Sequence, residues 1–306
     1  RQELVERDYW MFQVSRHLLG ESKGTPGSFT SMGGGSMLAL TGIVERVSED
    51  ADFSVSYSGG VRKCSSHKGK KLMVEFQRRV EDALDMTAER LGGGGGNTFR
   101  TTRYHYQSVF PSHDASPRPW IESDLGLRDT DDDFLVEMPG RPYLAHVAEQ
   151  HDVGVCDDLQ ERALLCSHPL SVLADKLDAV CWREGQVPTE GHTALESLVS
   201  RIRDHYDLYR LIGWLHDKDM LHNDRVLAAV EHMRRSDATI REMRRVARPQ
   251  RNRPAAGYSS LRAWQHGTEE YGALHAAFPS LSGVVYGHLP DYSEVAERIH
   301  AHADAL

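Results

Sequence analysis

The sequence is poor in cysteine and has no run of apolar residues long enough to cross a membrane. Its four cysteines, Cys64, Cys156, Cys166 and Cys181, show no C-x-x-C spacing among 306 residues, which argues against a zinc ribbon and a disulfide-stapled scaffold. No apolar run reaches the ~18 residues that a membrane-spanning helix needs. We therefore expect a soluble, cytoplasmic protein without membrane association.

An overall excess of positive charge is also missing, because the net charge is -9. This balance argues mildly against a protein coated by nucleic acid, since phosphate contacts require Lys and Arg. The basic residues are concentrated in "VRKCSSHKGKK" (61–71) and in the arginine-rich segment 233–253. Such segregation allows an anionic partner to bind one face, although a solvated basic helix explains it equally well.

The apolar content of 40% is sufficient for a buried core and for two domains. Residues 1–165 mix helical and strand-like patterns, whereas residues 166–306 are mainly helical in pattern, which predicts an α/β (α+β) domain with a mixed sheet followed by a helical domain. Apolar residues at helical spacing from Leu72 to Leu91 predict one helix that ends at the glycine run 92–96. The segment "MLALTGIVER" (37–46) predicts a second, short helix.

The stretch "SMGGGSMLALTGIVERVSEDADFSV" (31–55) joins a glycine-rich turn and a helical segment to a strand-like run. Alternate side chains of a strand share one face, so Ser48, Asp50 and Asp52 are expected to face the same way. Two neighbouring carboxylates repel each other unless a cation takes oxygen ligands from both, and Mg²⁺ prefers such ligands. The pattern therefore predicts a magnesium site at Asp50 and Asp52.

The glycine turn lies just before the short helix. Backbone N–H groups of Gly34 and Gly35, the N-terminal end of the helix and the Ser36 hydroxyl are expected to bind phosphate. The turn is neither a Walker A loop nor a G-x-G-x-x-G dinucleotide fingerprint. A phosphate site beside a metal site predicts a nucleoside triphosphate as the substrate and Mg²⁺ as the cofactor.

Other charged residues near the acidic strand allow two interpretations each. Arg46 either contacts a nucleotide phosphate or forms a salt bridge with Glu45 or Glu49. A third metal-binding carboxylate is offered by Glu122 and Asp124, which share one face of a predicted strand, and we favour Glu122.

The helical half contributes further candidate residues. Lys176 lies in the otherwise apolar helix "LSVLADKLDAVCW", where it either extends to water or reaches a cleft to stabilise polyphosphate. Asp204 and Asp207 are three residues apart and project from one side of a helix. One of them orients Lys176 or a metal-bound water, or both are surface acids paired with neighbouring arginines.

Four segments, "GGGSML", "ERVSEDADF", "LADKLDAVCWR" and "RDHYDLYRL", occur in the order seen in AbiEii-type nucleotidyltransferase toxins. The sequence resembles this family, which includes the mycobacterial MenT-type toxins, over roughly residues 31–211. The resemblance implies a DNA polymerase β-like nucleotidyltransferase domain, and a bacterial toxin that transfers a nucleotide from an NTP to an RNA acceptor, such as the 3′ end of tRNA, and blocks translation. It places Lys176 in the cleft and implies that Arg46, Ser48 and Asp207 contact nucleotide. Asp204 is then expected to be catalytic.

The resemblance also implies a partner, a cognate AbiEi-type or kinase-like antitoxin. Phosphorylation of Ser48 would add about -1.5 to -2 charges beside the metal-binding acids, which should block the site. The toxin itself is expected to be a monomer.

Two other functions compete with this interpretation. A small-molecule nucleotidyltransferase, such as an antibiotic-modifying enzyme, would share the metal site but would not need the arginine-rich segment. A non-catalytic nucleotide-binding protein would not need an intact acid pair. If RNA is the acceptor, reversing the charges of Arg241, Arg244 and Arg245 should weaken RNA binding and flatten its salt dependence.

Overall fold

The computed structural model describes residues 2–57, 60–94, 98–110, 119–129, 131–185, 193–244 and 253–306. Within these ranges the chain forms a mixed α/β structure with eight β-strands and ten α-helices. None of the described helices is long and apolar enough to cross a membrane. The chain divides into two compact units. The first contains Arg1–Gly42, Val47–His168 and Ser236–Ala247; the second contains Ile43–Arg46, Pro169–Arg235 and Arg248–Leu306.

The first unit is built on one eight-stranded mixed sheet. Its strands are β1 (Gly20–Glu21), β2 (Ser28–Gly33), β3 (Asp50–Tyr57), β4 (Thr87–Gly94), β5 (Phe99–His105), β6 (Trp120–Leu127), β7 (Leu135–Gly140) and β8 (Arg162–Ser167). The order across the sheet is β4-β5-β6-β3-β2-β8-β7, and β1 pairs with β2. Strand β3 therefore lies inside the sheet, parallel to β6 and antiparallel to β2.

Four helices complete this unit: α1 (Gln2–Leu18), α2 (Gly34–Leu40), α3 (Ser66–Leu84) and α4 (Tyr143–Gln150). Helix α1 packs against α3 and α4 and contacts β6. Helix α3 begins at the N-cap Ser65, whose hydroxyl accepts a hydrogen bond from the Lys68 amide. Its apolar face, which includes Leu72, Phe76 and Val80, is buried.

The long helix predicted up to Leu91 is wrong at its C-terminal end. Helix α3 ends at Leu84 because Asp85 adopts a left-handed conformation with φ 51°. The chain from Thr87 then forms β4, which pairs with β5 and includes the first glycines of the run 92–96. The last two residues of that run, 95 and 96, lie outside the described residues. Sheet pairing has overridden an apolar spacing that is typical of a helix.

The helix predicted for residues 37–46 is also shorter than expected. Helix α2 ends at Leu40, and Gly42 follows with φ 72°. This left-handed glycine turns the chain, so that Val44 and Arg46 lie outside any helix. The segment Ile43–Arg46 counts with the second unit.

The second unit is mainly helical. Its helices are α5 (Pro169–Glu184), α6 (Ala194–Val199), α7 (Arg203–Asp217), α8 (Asn223–Arg244), α9 (Glu269–Ala277) and α10 (Tyr292–Ala301), and the last residues of α8 count with the first unit. The expected domain boundary after residue 165 falls inside β8, two residues before that strand ends. Helix α7 packs against α5 and α10.

Aromatic residues hold the buried centre of the second unit around His205 of α7. The Trp264 indole N–H donates to His205 Nδ1 at 3.1 Å, and the Tyr292 hydroxyl donates to the Ala263 carbonyl at 2.9 Å. Burial lowers the pKa of His205 to about 4, although the neighbouring Asp204 opposes the shift. His205 is therefore neutral near pH 7, which suits its role as a hydrogen-bond acceptor from Trp264.

Candidate active site

Strand β3 carries the two aspartates on one face. Burial alternates along it, with Ala51 and Phe53 in the core and Asp50 and Asp52 half-buried on the other side. This alternation follows from the pleat of a strand, which sends successive side chains to opposite faces. The two carboxylates are therefore neighbours on one surface of the sheet, as the sequence pattern predicted.

The glycine turn lies directly against the second aspartate. Gly33, the last residue of β2, pairs with Asp52 across the antiparallel ladder. Gly34 follows with φ 58°, and a Cβ added at this position would overlap the Asp52 carboxylate. Both the left-handed backbone and the lack of space require glycine at position 34. The turn and the acidic strand thus form one local arrangement.

Ser36 connects these two elements from inside. Its hydroxyl donates to the Gly33 carbonyl at 3.1 Å and accepts from the Asp52 amide at 3.2 Å, and the side chain is buried. The single hydroxyl proton is used in this network, so binding a phosphate oxygen through it would require that hydrogen bond to be exchanged. The structure gives Ser36 a clear part in positioning Asp52, and phosphate binding by Gly34, Gly35 and Ser36 stays a prediction.

The neighbouring strand β6 brings two further carboxylates beside the pair. In the parallel ladder Glu122 is opposite Asp50, and Asp124 is opposite Asp52. Paired residues of adjacent strands share a face of the sheet, so all four acids lie on one surface. This register could not be known from the sequence of either strand alone.

Strand β5 distinguishes the two candidates for a third ligand. Glu122 forms a salt bridge with Arg103 at 3.0 Å, whereas Asp124 accepts a hydrogen bond from the Thr101 hydroxyl. Burial raises the pKa of Asp124, and the charges of Glu122 and Asp50 add to the effect. A cation beside Asp124 would relieve this repulsion, while Glu122 already has one. The role of Glu122 as a third metal ligand, which the sequence interpretation had preferred, stays a prediction.

The acid pair suits a hard divalent cation. Within the described ranges no three His, Cys, Asp or Glu side chains are grouped closely enough to hold a metal. Mg²⁺, however, is commonly bound through one or two carboxylates, with substrate phosphates and water completing its octahedron. Asp50 and Asp52 fit that requirement in number and in the chemistry of their donor atoms.

Ser48 lies just before the acidic pair. Its hydroxyl donates to the Asp50 backbone carbonyl at 3.1 Å, and the residue is buried. A phosphate on this oxygen would lose that hydrogen bond and add negative charge close to the first aspartate.

A second charged cluster lies in the second unit, around Lys176 of α5. The Lys176 ammonium is 2.8 Å from Asp204 Oδ1 and 2.7 Å from Asp207 Oδ2, both on α7. The Lys176 side chain is only 8% exposed, so it does not extend to water. The two acids differ in burial, because the side chain of Asp207 is fully buried and that of Asp204 is 18% exposed.

Arg46 forms a buried ion pair that the sequence interpretation had not suggested. Its Nε and Nη2 atoms donate to the two oxygens of Asp207, each at 2.6 Å, and both side chains are buried. Glu45 pairs instead with Arg210 at 2.6 Å. This bidentate ion pair holds Arg46 and Asp207 together. Either residue could contact a nucleotide directly only if the buried pair opened.

The charges of this cluster fix its protonation. Burial alone would lower the pKa of Lys176, but the carboxylates of Asp204 and Asp207 outweigh it, and the pKa is raised. Burial opposes ionisation of Asp207, but Arg46 and then Lys176 lower its pKa. Lys176 therefore remains an ammonium ion near pH 7. It is suited to stabilise negative charge and unsuited to accept a proton.

The arginine-rich segment is only partly described. Arg234 of α8 donates to both oxygens of Asp178, at 3.1 and 3.0 Å, so it is part of the packing of the second unit. Arg241 is half-buried and donates to the Asp237 carbonyl at 3.3 Å. Arg245 and the residues up to 252 lie outside the described residues. RNA binding by this segment stays a prediction.

A mixed sheet that presents paired aspartates beside a glycine turn is the arrangement of a nucleotidyltransferase. The chain belongs to the AbiEii family of nucleotidyltransferase toxins: the family described as "Nucleotidyl transferase AbiEii toxin, Type IV TA system" matches residues 19–283. The resemblance seen in the sequence motifs is thereby confirmed. A toxin of this type implies an antitoxin partner, and a nucleotidyltransferase implies a nucleoside triphosphate substrate.

Two solved structures match the chain, both with TM-scores below 0.5. MenT4, a nucleotidyltransferase toxin from Mycobacterium tuberculosis H37Rv, is 15% identical and has a TM-score of 0.45, over 99% of this chain and 91% of that chain. An antigenic nucleotidyltransferase-like protein from Paracoccidioides brasiliensis is 11% identical with a TM-score of 0.37, over 80% of this chain and 93% of that chain. No curated protein matches the sequence. The assignment to the family therefore rests on the match to residues 19–283.

Proposed function

We propose that this toxin transfers a nucleoside monophosphate from an NTP to an RNA acceptor, the 3′ end of tRNA, in a Mg²⁺-dependent reaction, and thereby blocks translation. The observation that carries the proposal is the contact between the Asp52 carboxylate and the Gly34 turn in a member of a nucleotidyltransferase toxin family. A carboxylate beside backbone amides supports the proposal, because a hard metal ion would bind the carboxylate while a phosphate approached the amides.

The chain's own residues have distinct proposed roles. Asp50 and Asp52 would hold Mg²⁺, which when bound supplies neutralisation of the triphosphate and a lower pKa for the attacking hydroxyl. Gly34 leaves the space that the Asp52 carboxylate needs, and Ser36 fixes that strand to the turn. Lys176, kept protonated by its two carboxylates, would stabilise negative charge on the polyphosphate, and Asp204 would position it.

Regulation by the antitoxin is proposed to act at Ser48. The buried hydroxyl adjoins the Asp50 backbone, so a phosphate there would compete electrostatically with binding of the triphosphate. Ser48→Asp is expected to abolish toxicity, whereas Ser280→Asp should not, because Ser280 is exposed and lies outside the strand that carries the acid pair. Full toxicity of Ser48→Asp would remove this regulation.

The central experiment incubates the purified protein and Mg²⁺ with each radiolabelled NTP and total bacterial RNA. We expect label on RNA of tRNA size from the wild-type protein and none from Asp50→Asn. Glu49→Gln is the matched control, because Glu49 is exposed and lies outside β3. Release of terminal label by a 3′ exonuclease locates the added nucleotide.

The same experiment separates the competing functions. Replacing RNA with an aminoglycoside tests a small-molecule acceptor, and label on the drug but not on RNA would favour an antibiotic-modifying enzyme. Absence of metal-dependent pyrophosphate release with either acceptor would favour a binding protein. Loss of labelling in Glu49→Gln as well as in Asp50→Asn would contradict the assigned roles.

A further inference from the structure

A groove of about 1080 Å³ opens on the first unit. None of the residues that line it belongs to the acidic strand β3. Its walls are the C-terminal end of α1, the turn between β1 and β2, and one side of α3. Three acidic residues line it, Glu21, Glu75 and Asp82, but they are outnumbered by six cationic ones: Arg16, Lys23, Lys70, Lys71, Arg78 and Arg79. The basic segment 61–71 noted in the sequence therefore supplies part of this groove.

The carboxylate of Glu75, which lines the groove, is bonded to residues of the groove wall. Its carboxylate accepts hydrogen bonds from the Ser22 hydroxyl at 2.6 Å and the Lys23 amide at 2.7 Å, and it pairs with Arg79 at 3.3 Å. Burial opposes ionisation, but these hydrogen bonds and Arg79 lower the pKa of Glu75. Glu75 thus ties the β1–β2 turn to α3, and its charge is already neutralised.

Several cations in the groove remain available for a ligand. Lys23, Lys70 and Arg78 are exposed, and none of them forms an ion pair in the part of the chain that the structure describes. The Lys71 ammonium is 3.4 Å from the Gly24 carbonyl, which leaves its charge uncompensated by any carboxylate there. Folding alone gives no reason to gather uncompensated cations along one concave surface.

Three cations of α3 lie along one stripe of the helix together with His67. Lys70, Lys71 and Arg78 follow His67 by three, four and eleven residues. This spacing places all four on one face of α3, opposite the buried side that includes Phe76. At 1.5 Å per residue the stripe is about 16 Å long. An excess of positive charge spread over this length matches a polymer with regularly repeated negative charges better than it matches a single phosphate group.

The composition of the lining distinguishes nucleic acid from protein. Protein interfaces are enriched in aromatic residues and depleted in lysine, but this groove has no Phe, Tyr or Trp, and its apolar residues are only Leu19, Val74 and Ala83. The absence of aromatic side chains also removes the platform on which single-stranded bases stack. Lys and Arg contacts to phosphate are the usual means of holding a double helix without reading its sequence.

We propose that this groove binds the phosphate backbone of double-helical RNA and so holds the helical part of the acceptor. The proposal rests on the proposed function in taking RNA as the acceptor, but it concerns a surface with no part in nucleotide transfer itself. Binding there is expected to be independent of sequence and strongly dependent on salt.

The test measures binding of a short fluorescein-labelled RNA duplex by anisotropy at several salt concentrations, without NTP or Mg²⁺. The variant combines Lys70→Gln, Lys71→Gln and Arg78→Gln, all at exposed positions. We expect at least about tenfold weaker binding at low salt, and a plot of log K against log salt whose slope falls by about 2 to 3, because each lost phosphate contact removes about 0.9.

A matched control combines Lys63→Gln, Lys218→Gln and Arg225→Gln, which are exposed, lie outside the groove and remove the same charge. This control should bind the duplex with the wild-type slope. Equal weakening of both triple variants would overturn the proposal, as would unchanged binding by the groove variant. Tighter binding of unstructured polyuridylate or of polyglutamate through the same cations would also overturn it.

Labelling of RNA by the wild-type protein is measured separately. If the duplex binds through the groove but no nucleotide is transferred, the proposed function fails and this inference stands. If transfer proceeds while the groove variant binds the duplex normally, the opposite holds.

Discussion

Replacement of Gly34 by alanine tests the contact on which the nucleotide site depends. The new Cβ would overlap the Asp52 carboxylate, and the backbone would keep a left-handed φ of 58°. Gly42 offers a matched control, because its φ is 72° but a Cβ there meets nothing within 4 Å. Both variants bear the backbone strain, and only Gly34→Ala displaces the aspartate.

The two effects have different expected sizes. A left-handed conformation costs a non-glycine residue about 1 to 2 kcal/mol, so both variants should lose about that much free energy of unfolding. Displacing a catalytic group by about 1 Å lowers activity by about 100-fold. We therefore expect Gly34→Ala to lose about 100-fold in nucleotide transfer, and Gly42→Ala to retain activity close to that of the wild type.

Urea unfolding followed by tryptophan fluorescence gives the stabilities, and labelling of RNA under initial-rate conditions gives the activities. Equilibrium dialysis with the labelled NTP and Mg²⁺ reports binding independently of turnover. Equal loss of activity in both glycine variants would show that strain, and not the Asp52 contact, is responsible. Normal binding and transfer by Gly34→Ala would refute the site described above.

Other predictions concern buried charges. Asp207→Asn is expected to lower the free energy of unfolding by about 3 to 5 kcal/mol, because it removes the carboxylate that two buried cations, Arg46 and Lys176, share. Asp204→Asn, at a more exposed position, should cost about 1 to 2 kcal/mol and reduce transfer. The exposed Asp217→Asn on the same helix should change stability by less than about 0.5 kcal/mol. Equal costs for Asp207→Asn and Asp217→Asn in urea unfolding would contradict the buried network. Because the folded-state pKa values of Asp204 and Asp207 are lowered, the stability that they supply is present above the ordinary carboxyl range and is lost as the pH falls below that range through the lowered values. Unfolding measured from pH 6 to well below the ordinary carboxyl pKa checks this. Burial raises the pKa of Asp8 from 3.8 to about 7. Asp8→Asn should therefore stabilise the protein by up to about 4 kcal/mol at pH 8, at about 1.4 kcal/mol per pKa unit, and by less at pH 5. A gain that is the same at both pH values would show that ionisation of Asp8 is not the cause.

Local patterns in the sequence predicted the acidic strand well. The pleat of a strand places Asp50 and Asp52 on one face whatever the rest of the chain does, and the glycines before them required a turn. The helix predicted as far as Leu91 was wrong because apolar spacing alone does not reveal that Thr87 begins a strand paired with β5. Strands β2, β7 and β8 had no clear alternation of apolar residues in the sequence.

Long-range pairing explains the remaining differences. Arg46 and Asp207 are 161 residues apart, and no local pattern connects them. The choice between Glu122 and Asp124 depends on Arg103 and Thr101 of β5, whose neighbours are known only once the sheet is formed. The sequence motifs predicted which charged residues belong to the candidate site. The residues that pair with them became evident only from the folded structure.

The inclusion of Ile43–Arg46 in the second unit limits how this toxin can be dissected or recombined. A gene fragment that stops at His168 would encode Arg46 but not Asp207, and so would leave a guanidinium without the carboxylate that encloses it. A chimera built from two homologous toxins would need to take both residues from the same parent. Chimeras that mix the two parental versions at these positions should be recovered less often than crossovers that preserve them.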